Sequence, residues 1–206
     1  MKIYLTRHSK TLWNQEKRLQ GWQDSPLLPE GLEDAKLLKE RIADLKIDYC
    51  YSSPLKRAKV TSEILFDHVI LDDRLKEMNF GQYEGKPIAQ LLKEPKYNEL
   101  WNHPDDQVKT PGGETYQEVQ ARLTDFLNDI YQKHPNDTIF ITIHGMLFII
   151  LHGLMQNYQT KELTKINGQV VRGCSLSEVD YDGKTFKIKY IGDDRHLKSS
   201  EVISYK

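Results

Sequence analysis

Met1-Lys2-Ile3-Tyr4-Leu5-Thr6-Arg7-His8-Ser9-Lys10-Thr11 opens the chain, and its reading decides what the rest can be. Lys2 to Leu5 is too short for a helix, and its β-branched and aromatic content suits a buried strand. The run passes directly into Arg7 and His8, then into polar residues that extend to Asn14. Open α/β sheets bind ligands at this kind of place, the turn that leaves a strand's carboxyl end. By themselves Arg7 and His8 would be an ordinary surface pair. Their meaning depends on what later segments bring to the same edge.

Later segments alternate in type. A polar connection from Arg18 to Pro29 contains Gly21-Trp22. A helix is predicted from about Pro29, with Leu32, Ala35, Leu38, Ile42 and Leu45 on one face. A strand follows over Ile47 to Tyr51. Ser53-Pro54 reads as a helix start, Ser as N-cap and Pro in the first turn, for a helix to about Phe66 that carries Arg57 near its beginning. Val69 to Leu71 is a short strand, and Asp72 to Glu77 leads away from it. Glycines and prolines interrupt Met78 to Gly113, which is predicted as an irregular helical insertion over the sheet edge. Thr115 with Glu118 has the form of a capping box. The helix behind it turns Val119, Leu123, Phe126, Leu127 and Ile130 inward. Thr138 to Ile143 is a nearly uninterrupted apolar run of the sort buried at the centre of a parallel sheet. It ends in His144-Gly145 and an apolar helix from about Met146 to Met155. Leu176 to Asp180 and Thr185 to Ile191 form a predicted hairpin around Asp182-Gly183.

This order predicts an α/β fold over residues 1–206, read as one domain with an insertion at about 78–113. It is a three-layer α/β/α sandwich whose mostly parallel central sheet has an antiparallel C-terminal edge. In 206 residues, 38% hydrophobic content suffices for one substantial core. The net charge of −1 gives no field that would favour nucleic acid or membrane surfaces. The two cysteines, Cys50 and Cys174, form no framework, as expected in a reducing compartment, and the absence of a leader or spanning segment points to the cytoplasm. Asn136-Asp137-Thr138 fits a glycosylation pattern that such a location leaves unused.

The parallel sheet supplies the functional argument. His8 follows the first strand, Arg57 opens the helix after the second, Glu77 follows the third and His144 follows the fourth. Residues distant in sequence thereby converge on one crevice. In this order, Arg7-His8, Arg57 within Pro54-Leu55-Lys56-Arg57-Ala58, Glu77 within Leu75-Lys76-Glu77-Met78-Asn79-Phe80-Gly81, and His144-Gly145 resemble the histidine phosphatase superfamily. The branch in question holds cofactor-dependent phosphoglycerate mutases and small broad-specificity phosphatases. Trp13-Asn14, Gly21-Trp22 and Pro111-Gly112-Gly113-Glu114-Thr115 add to the resemblance, which covers nearly the whole chain.

The resemblance implies a phosphoglycerate mutase-like fold with His8 as nucleophile, forming a phosphohistidine. It implies Glu77 as proton donor and then base, with Arg7, Arg57 and His144 stabilising the transferred group. Phosphate binding would fall to Arg7, Asn14, Arg57, His144, Gly145 and Gly21. No metal is implied, and a 2,3-bisphosphoglycerate primer is needed only if the protein is a mutase. The expected partner is a small phosphorylated metabolite, with no nucleic acid or membrane, for a monomer or homodimer. His68, His103, His134, His152 and His196 match no catalytic position. Gly81-Gln82-Tyr83-Glu84-Gly85-Lys86-Pro87 has the look of a phosphate loop. It is one residue short, and Pro87 stands where a hydroxyl would hold magnesium.

Three departures matter. Ser9 replaces the usual Gly after the nucleophile and would be strained if the position required positive φ. Lys10 stands where Glu is common, which would make the mouth more basic. Met78 and Phe80 stand where mutases carry an Arg and a Tyr, and the insertion has no adjacent Arg pair to hold a substrate carboxylate. These last features favour hydrolysis, with a more apolar substrate wall. A mutase and a non-catalytic phospho-ligand binding protein are the alternatives.

Overall fold

The computed structural model describes residues 1–168 and 170–198. In chain order it contains β1 (Lys2–Arg7), α1 (Leu12–Gln15), α2 (Pro29–Arg41), β2 (Tyr49–Ser52), α3 (Lys56–Leu65) and β3 (Ile70–Leu71). Short 3-10 turns at Asp73–Leu75 and Gly81–Tyr83 precede α4 (Ile88–Leu91) and α5 (Pro95–Asn102). Then come α6 (Tyr116–Lys133), β4 (Thr138–Ile143), α7 (Gly145–Met155), a 3-10 turn at Thr160–Lys165, β5 (Leu176–Tyr181) and β6 (Phe186–Asp193).

The six strands lie in the order β3-β2-β4-β1-β5-β6. β1, β2, β3 and β4 pair in parallel, while β5 and β6 add an antiparallel edge. Strand side chains alternate between faces, and the alternation sorts the core into two layers. Ile3, Leu5, Ile139, Ile141 and Ile143 pack with α6, α7 and the 78–113 segment. Tyr4, Cys50 and Phe140 point the other way, onto Ala35 and Leu38 of α2, Ile42 just beyond its end, and Leu65 of α3. Phe80, Tyr83, Ile88, Leu91, Tyr97 and Leu100 of the 78–113 segment belong to the first of these layers.

Local chemistry explains the element ends. α6 begins at the expected capping box, Thr115 accepting from Glu118 N and the Glu118 carboxylate accepting from Thr115 N. The hairpin turns at Asp182, whose carboxylate accepts the amides of Lys184 and Thr185, with Gly183 at φ +93°. Other ends differ from the sequence reading. β2 starts at Tyr49 rather than Ile47, because Asp48 uses its side chain to accept Thr138 N at the strand's entry. α2 ends at Arg41, short of Leu45, and its first turn faces Gly31 inward while Leu32 is 36% exposed. A Cβ on Gly31 would lie 2.5 Å from the Lys10 carbonyl oxygen, so only glycine fits there. α3 starts at Lys56 instead of Pro54. Its cap is Asp24, from a loop remote in sequence, which accepts the Lys56 amide at 2.7 Å.

No helix among the described residues is long and apolar enough to cross a membrane. The two layers allow a test of the core assignment. Leu38→Ala, at a site with no solvent exposure, is expected to lower unfolding free energy by about 2–5 kcal/mol. Leu32→Ala on the same helix should change it by no more than about 0.5 kcal/mol. Urea unfolding of both variants checks the pair, and equal losses would show that the face is assigned wrongly.

Candidate active site

The register of β1 on β4 pairs Arg7 with Ile143, so the next residues, His8 and His144, leave the sheet side by side. The His8 amide donates to the Ile143 carbonyl, and the two imidazole centroids are 5.2 Å apart. A cavity open to solvent lies over this edge. Arg7, His8, Asn14, Arg57, Glu77 and Gly145 all line it, so five separate segments of the chain meet there.

His8 is 3% exposed, and its Nδ1 lies 2.8 Å from the Ser9 carbonyl oxygen. A carbonyl can only accept, so Nδ1 carries the proton and Nε2 keeps its lone pair. Burial, then Arg57 and Arg7, hold the ring's pKa well below the ordinary 6.5. His8 is thus a neutral imidazole of fixed tautomer, the form that attacks an electrophile. Ser9 does not occupy the left-handed region, which holds only Lys17, Asn157 and Cys174 among the described non-glycine residues. The usual glycine is dispensable here because Ser9 contributes its carbonyl to His8 and its amide to Thr61 Oγ1. Lys10 pairs with Glu30 at 3.3 Å and lies outside the cavity lining, so the predicted basic mouth is not formed by it.

Arg57 is 1% exposed. Its Nη1 donates to Asp24 Oδ1 at 2.7 Å and to the Gln23 carbonyl at 2.9 Å, and Nη2 donates to the Gly21 carbonyl at 2.7 Å. Gly21 therefore acts on the site through Arg57 and is not among the lining residues. Arg57 Nε and both ring nitrogens of His144 have no hydrogen-bond partner among the described residues. Arg57 Nε and the single N–H of a neutral His144 ring are thus buried donors whose desolvation cost an anionic ligand would offset, although His144, fully buried, is not among the residues that line the cavity. The His144 ring is kept neutral by burial and then by Arg57, with smaller effects from His8, Arg7 and Arg122. Arg7 is anchored through Nη1 to the Val171 carbonyl, and Asn14 closes a capping box with Thr11 at the start of α1.

Glu77 sits where α7 begins. Its Oε1 accepts the amides of Met78 and Leu147, both at 2.9 Å, and its Oε2 accepts that of Met146 at 3.0 Å. Burial raises its pKa against the opposing pull of Arg57 and the three amides. Oε2 has the lighter load of donors, which leaves it the better place for a proton. The Glu77 main chain is pinned as well: its carbonyl accepts from Trp22 Nε1 and from Arg122 Nη2. Arg122 also donates to the carbonyls of Arg74 and Lys76 and is itself gripped by both oxygens of Glu114. Sequence reasoning did not find Arg122, Asp24 or Glu84; as charged residues within polar stretches, they give no local signal.

Beyond the polar floor the cavity is lined by Leu19, Phe80, Ile88, Trp101, Met146 and Val170. Met78 is buried in the core away from the lining, whereas Phe80 forms part of the wall. None of His68, His103, His134, His152 and His196 reaches the cavity. Among the described residues no group of three or more His, Cys, Asp or Glu is placed to hold a metal ion.

Comparison with known proteins adds to this geometry. The model of the histidine phosphatase superfamily (branch 1) matches residues 3–194. A Yersinia pestis (strain Pestoides F) protein named "Probable phosphoglycerate mutase GpmB" is 30% identical over 207 residues, covering 96% of this chain and 95% of that protein. The solved structure of Bacillus stearothermophilus YhfR superimposes with a TM-score of 0.88 at 31% identity, over 96% of this chain and 99% of that one. Phosphoserine phosphatase from Entamoeba histolytica, solved with 3-phosphoglyceric acid, gives a TM-score of 0.85 over 96% and 99% of the two chains. At 23% identity that last likeness concerns the fold alone.

The depressed imidazoles predict how stability varies with pH. As pH falls through 6.5, the unfolded chain binds protons that folded His8 and His144 refuse, so these sites lose stability toward acid. Glu77, raised above its ordinary 4.5, acts oppositely: folded protein binds its proton first, and stability at this site rises as pH falls toward 4.5. Replacing His144 by Gln is expected to make the loss of Tm below pH 6.5 shallower. Thermal melts across that range check it, and identical slopes for the two proteins would refute the buried neutral assignment.

Proposed function

The chain belongs to the histidine phosphatase superfamily (branch 1), and we propose that within it this protein is a metal-independent phosphomonoesterase for small phosphorylated metabolites in the cytoplasm. One observation carries the reading: a neutral His8 of fixed tautomer shares a cavity with the buried guanidinium groups of Arg7 and Arg57 and with a buried carboxyl of raised pKa.

The chemistry follows from these groups. A phosphate monoester places its oxygens against Arg7, Arg57 and His144, with Asn14 and the Gly145 backbone at the same rim. Arg57 Nε and His144 then gain acceptors, and the ester's negative charge favours protonation of His144. His8 Nε2 attacks phosphorus, and the bond from phosphorus to the ester oxygen breaks. Charge spreads over the three equatorial oxygens, where preorganised donors stabilise it most. The proton on Glu77 passes to the departing oxygen, which leaves as an alcohol. Glu77, now a carboxylate, takes a proton from water as that oxygen attacks the phosphohistidine. The phosphorus–nitrogen bond breaks, inorganic phosphate departs, and Glu77 is protonated again.

A mutase reading is favoured by the similarity to the Yersinia protein. In it, the phosphoryl group would pass to a second hydroxyl instead of water, with 2,3-bisphosphoglycerate as primer. The lining speaks for hydrolysis. Its guanidinium groups are Arg7, Arg57 and Arg18, and Arg18 already holds Glu16 at 2.7 Å and the Gly85 carbonyl at 2.9 Å. The remaining wall is largely apolar, suited to an uncharged alcohol portion and poorly suited to a carboxylate.

Phosphate release from an aryl phosphate with EDTA present tests the assignment. His8→Ala is expected to lose at least about 10³-fold in kcat. Equal rates in wild type and variant would remove His8 as nucleophile. Tight binding of phosphate without turnover would favour a binding protein, and primer-dependent interconversion of 2- and 3-phosphoglycerate a mutase. Glu77→Gln should cost about 10²–10⁴-fold in kcat/KM, which reports the alcohol-releasing step, on alkyl phosphates and much less in kcat/KM on aryl phosphates, whose leaving groups scarcely need the proton. Equal losses on both would deny Glu77 the role of acid.

A further inference from the structure

The segment Gly81-Gln82-Tyr83-Glu84-Gly85, which lacks the length and the hydroxyl of a phosphate loop, makes contacts that reach the phosphate site indirectly. Glu84 Oε1 accepts the amides of Trp22 and Phe80, both at 2.9 Å, and Oε2 accepts that of Gln23 at 2.8 Å. The carbonyls of Gly21 and Gln23 are in turn acceptors for Arg57.

The Gly21–Trp22 peptide unit is the central piece. Its N–H points at Glu84 and its C=O at Arg57 Nη2. A trans peptide is planar, with these two groups directed oppositely, so fixing the N–H fixes the direction of the C=O. Gly21 is compatible with this contact only because it lacks a side chain. A Cβ there would lie 2.0 Å from Glu84 Oε1, 2.6 Å from Glu84 Cδ and 3.0 Å from the Met78 carbonyl oxygen.

We propose that Glu84 is a positioning residue for the phosphate site, holding the 21–23 backbone so that its carbonyls orient the buried guanidinium of Arg57. The inference rests on the reading of Arg57 as a phosphate ligand. Glu84 itself touches no substrate. Its influence passes through one planar peptide and one arginine, and because the same carboxylate holds Phe80 N, the apolar wall and the phosphate floor are tied together.

Glu84→Gln weakens all three contacts: Trp22 N and Phe80 N keep only a neutral amide oxygen in place of a carboxylate, and the new amide group faces the Gln23 N–H, donor against donor, which drives the side chain away from the 21–23 backbone and releases the Gly21–Trp22 peptide. The competitive inhibition constant for inorganic phosphate is expected to rise about 10- to 100-fold. KM should rise by a similar factor for aryl and alkyl phosphates alike, since the defect lies at the group they share. Gly21→Ala, which displaces Glu84 from the other side, should give the same pattern. In an Arg57→Ala background, Glu84→Gln should add no further loss, the non-additivity expected of residues acting in one chain of contacts. An unchanged inhibition constant in Glu84→Gln would overturn the inference, as would a full additional loss in the Arg57→Ala background. Wild-type protein with turnover but no inhibition by phosphate would overturn the reading of Arg57 and this inference with it.

Discussion

A guanidinium that is 1% exposed organises this site. A charge taken out of water persists only where acceptors are built around it, and Arg57 has three on its terminal nitrogens: Asp24, the Gln23 carbonyl and the Gly21 carbonyl. Meeting that requirement obliges the 21–24 loop to lie against the start of α3, where Asp24 also accepts the first helical amides. The loop's course, the helix's first turn and the direction of the guanidinium are therefore one arrangement. The same charge helps hold His8 and His144 neutral and tempers the rise of the Glu77 pKa.

Two buried groups near one cation are thereby driven apart in protonation. Burial disfavours the charged form of either, so it lowers an imidazole and raises a carboxyl. His8 is left with a free lone pair and Glu77 is biased toward keeping its proton, which is the pairing a nucleophile and an acid need at one pH. Arg57 reinforces the first effect and opposes the second, so on Glu77 desolvation has to outweigh both the cation and the three amides it accepts. The amides serve geometry: they fix the carboxyl to the start of α7 and leave Oε2 with a single donor.

Much of this was legible in the sequence because strand order and strand ends are local signals. The β-branched and aromatic run at 3–5 and the apolar run at 138–143 mark the central pair, and the parallel register then puts His8 beside His144. Arg57 and Glu77 followed from their positions after β2 and β3. Ser53-Pro54 has the right chemistry at the right spacing for the cap of α3, and Ser53 Oγ does accept the Leu55 amide, but the helix begins at Lys56 and its first amides go to Asp24, brought in from another loop. Arg122 and Glu84 escaped notice for a related reason. Each acts by bonding to backbone, and backbone groups have no signature in a sequence.

The 78–113 segment shows why the wall and the floor of such a cavity are physically difficult to treat as separate. Phe80 presents its ring to the cavity while its amide is held by Glu84, and its carbonyl accepts Thr110 Oγ1. Gly81 follows at φ +52°, where a Cβ would lie 2.3 Å from the Pro111 carbonyl oxygen. The wall residue is thus clamped on both sides by groups that also touch the 110–114 turn and the 21–23 loop. Glu114 from that turn holds Arg122, and Arg122 holds the carbonyl of Glu77. Reshaping the apolar wall by moving its backbone would then disturb the acid through one route and the guanidinium through the other. Specificity can change freely only through the side chains that face the cavity.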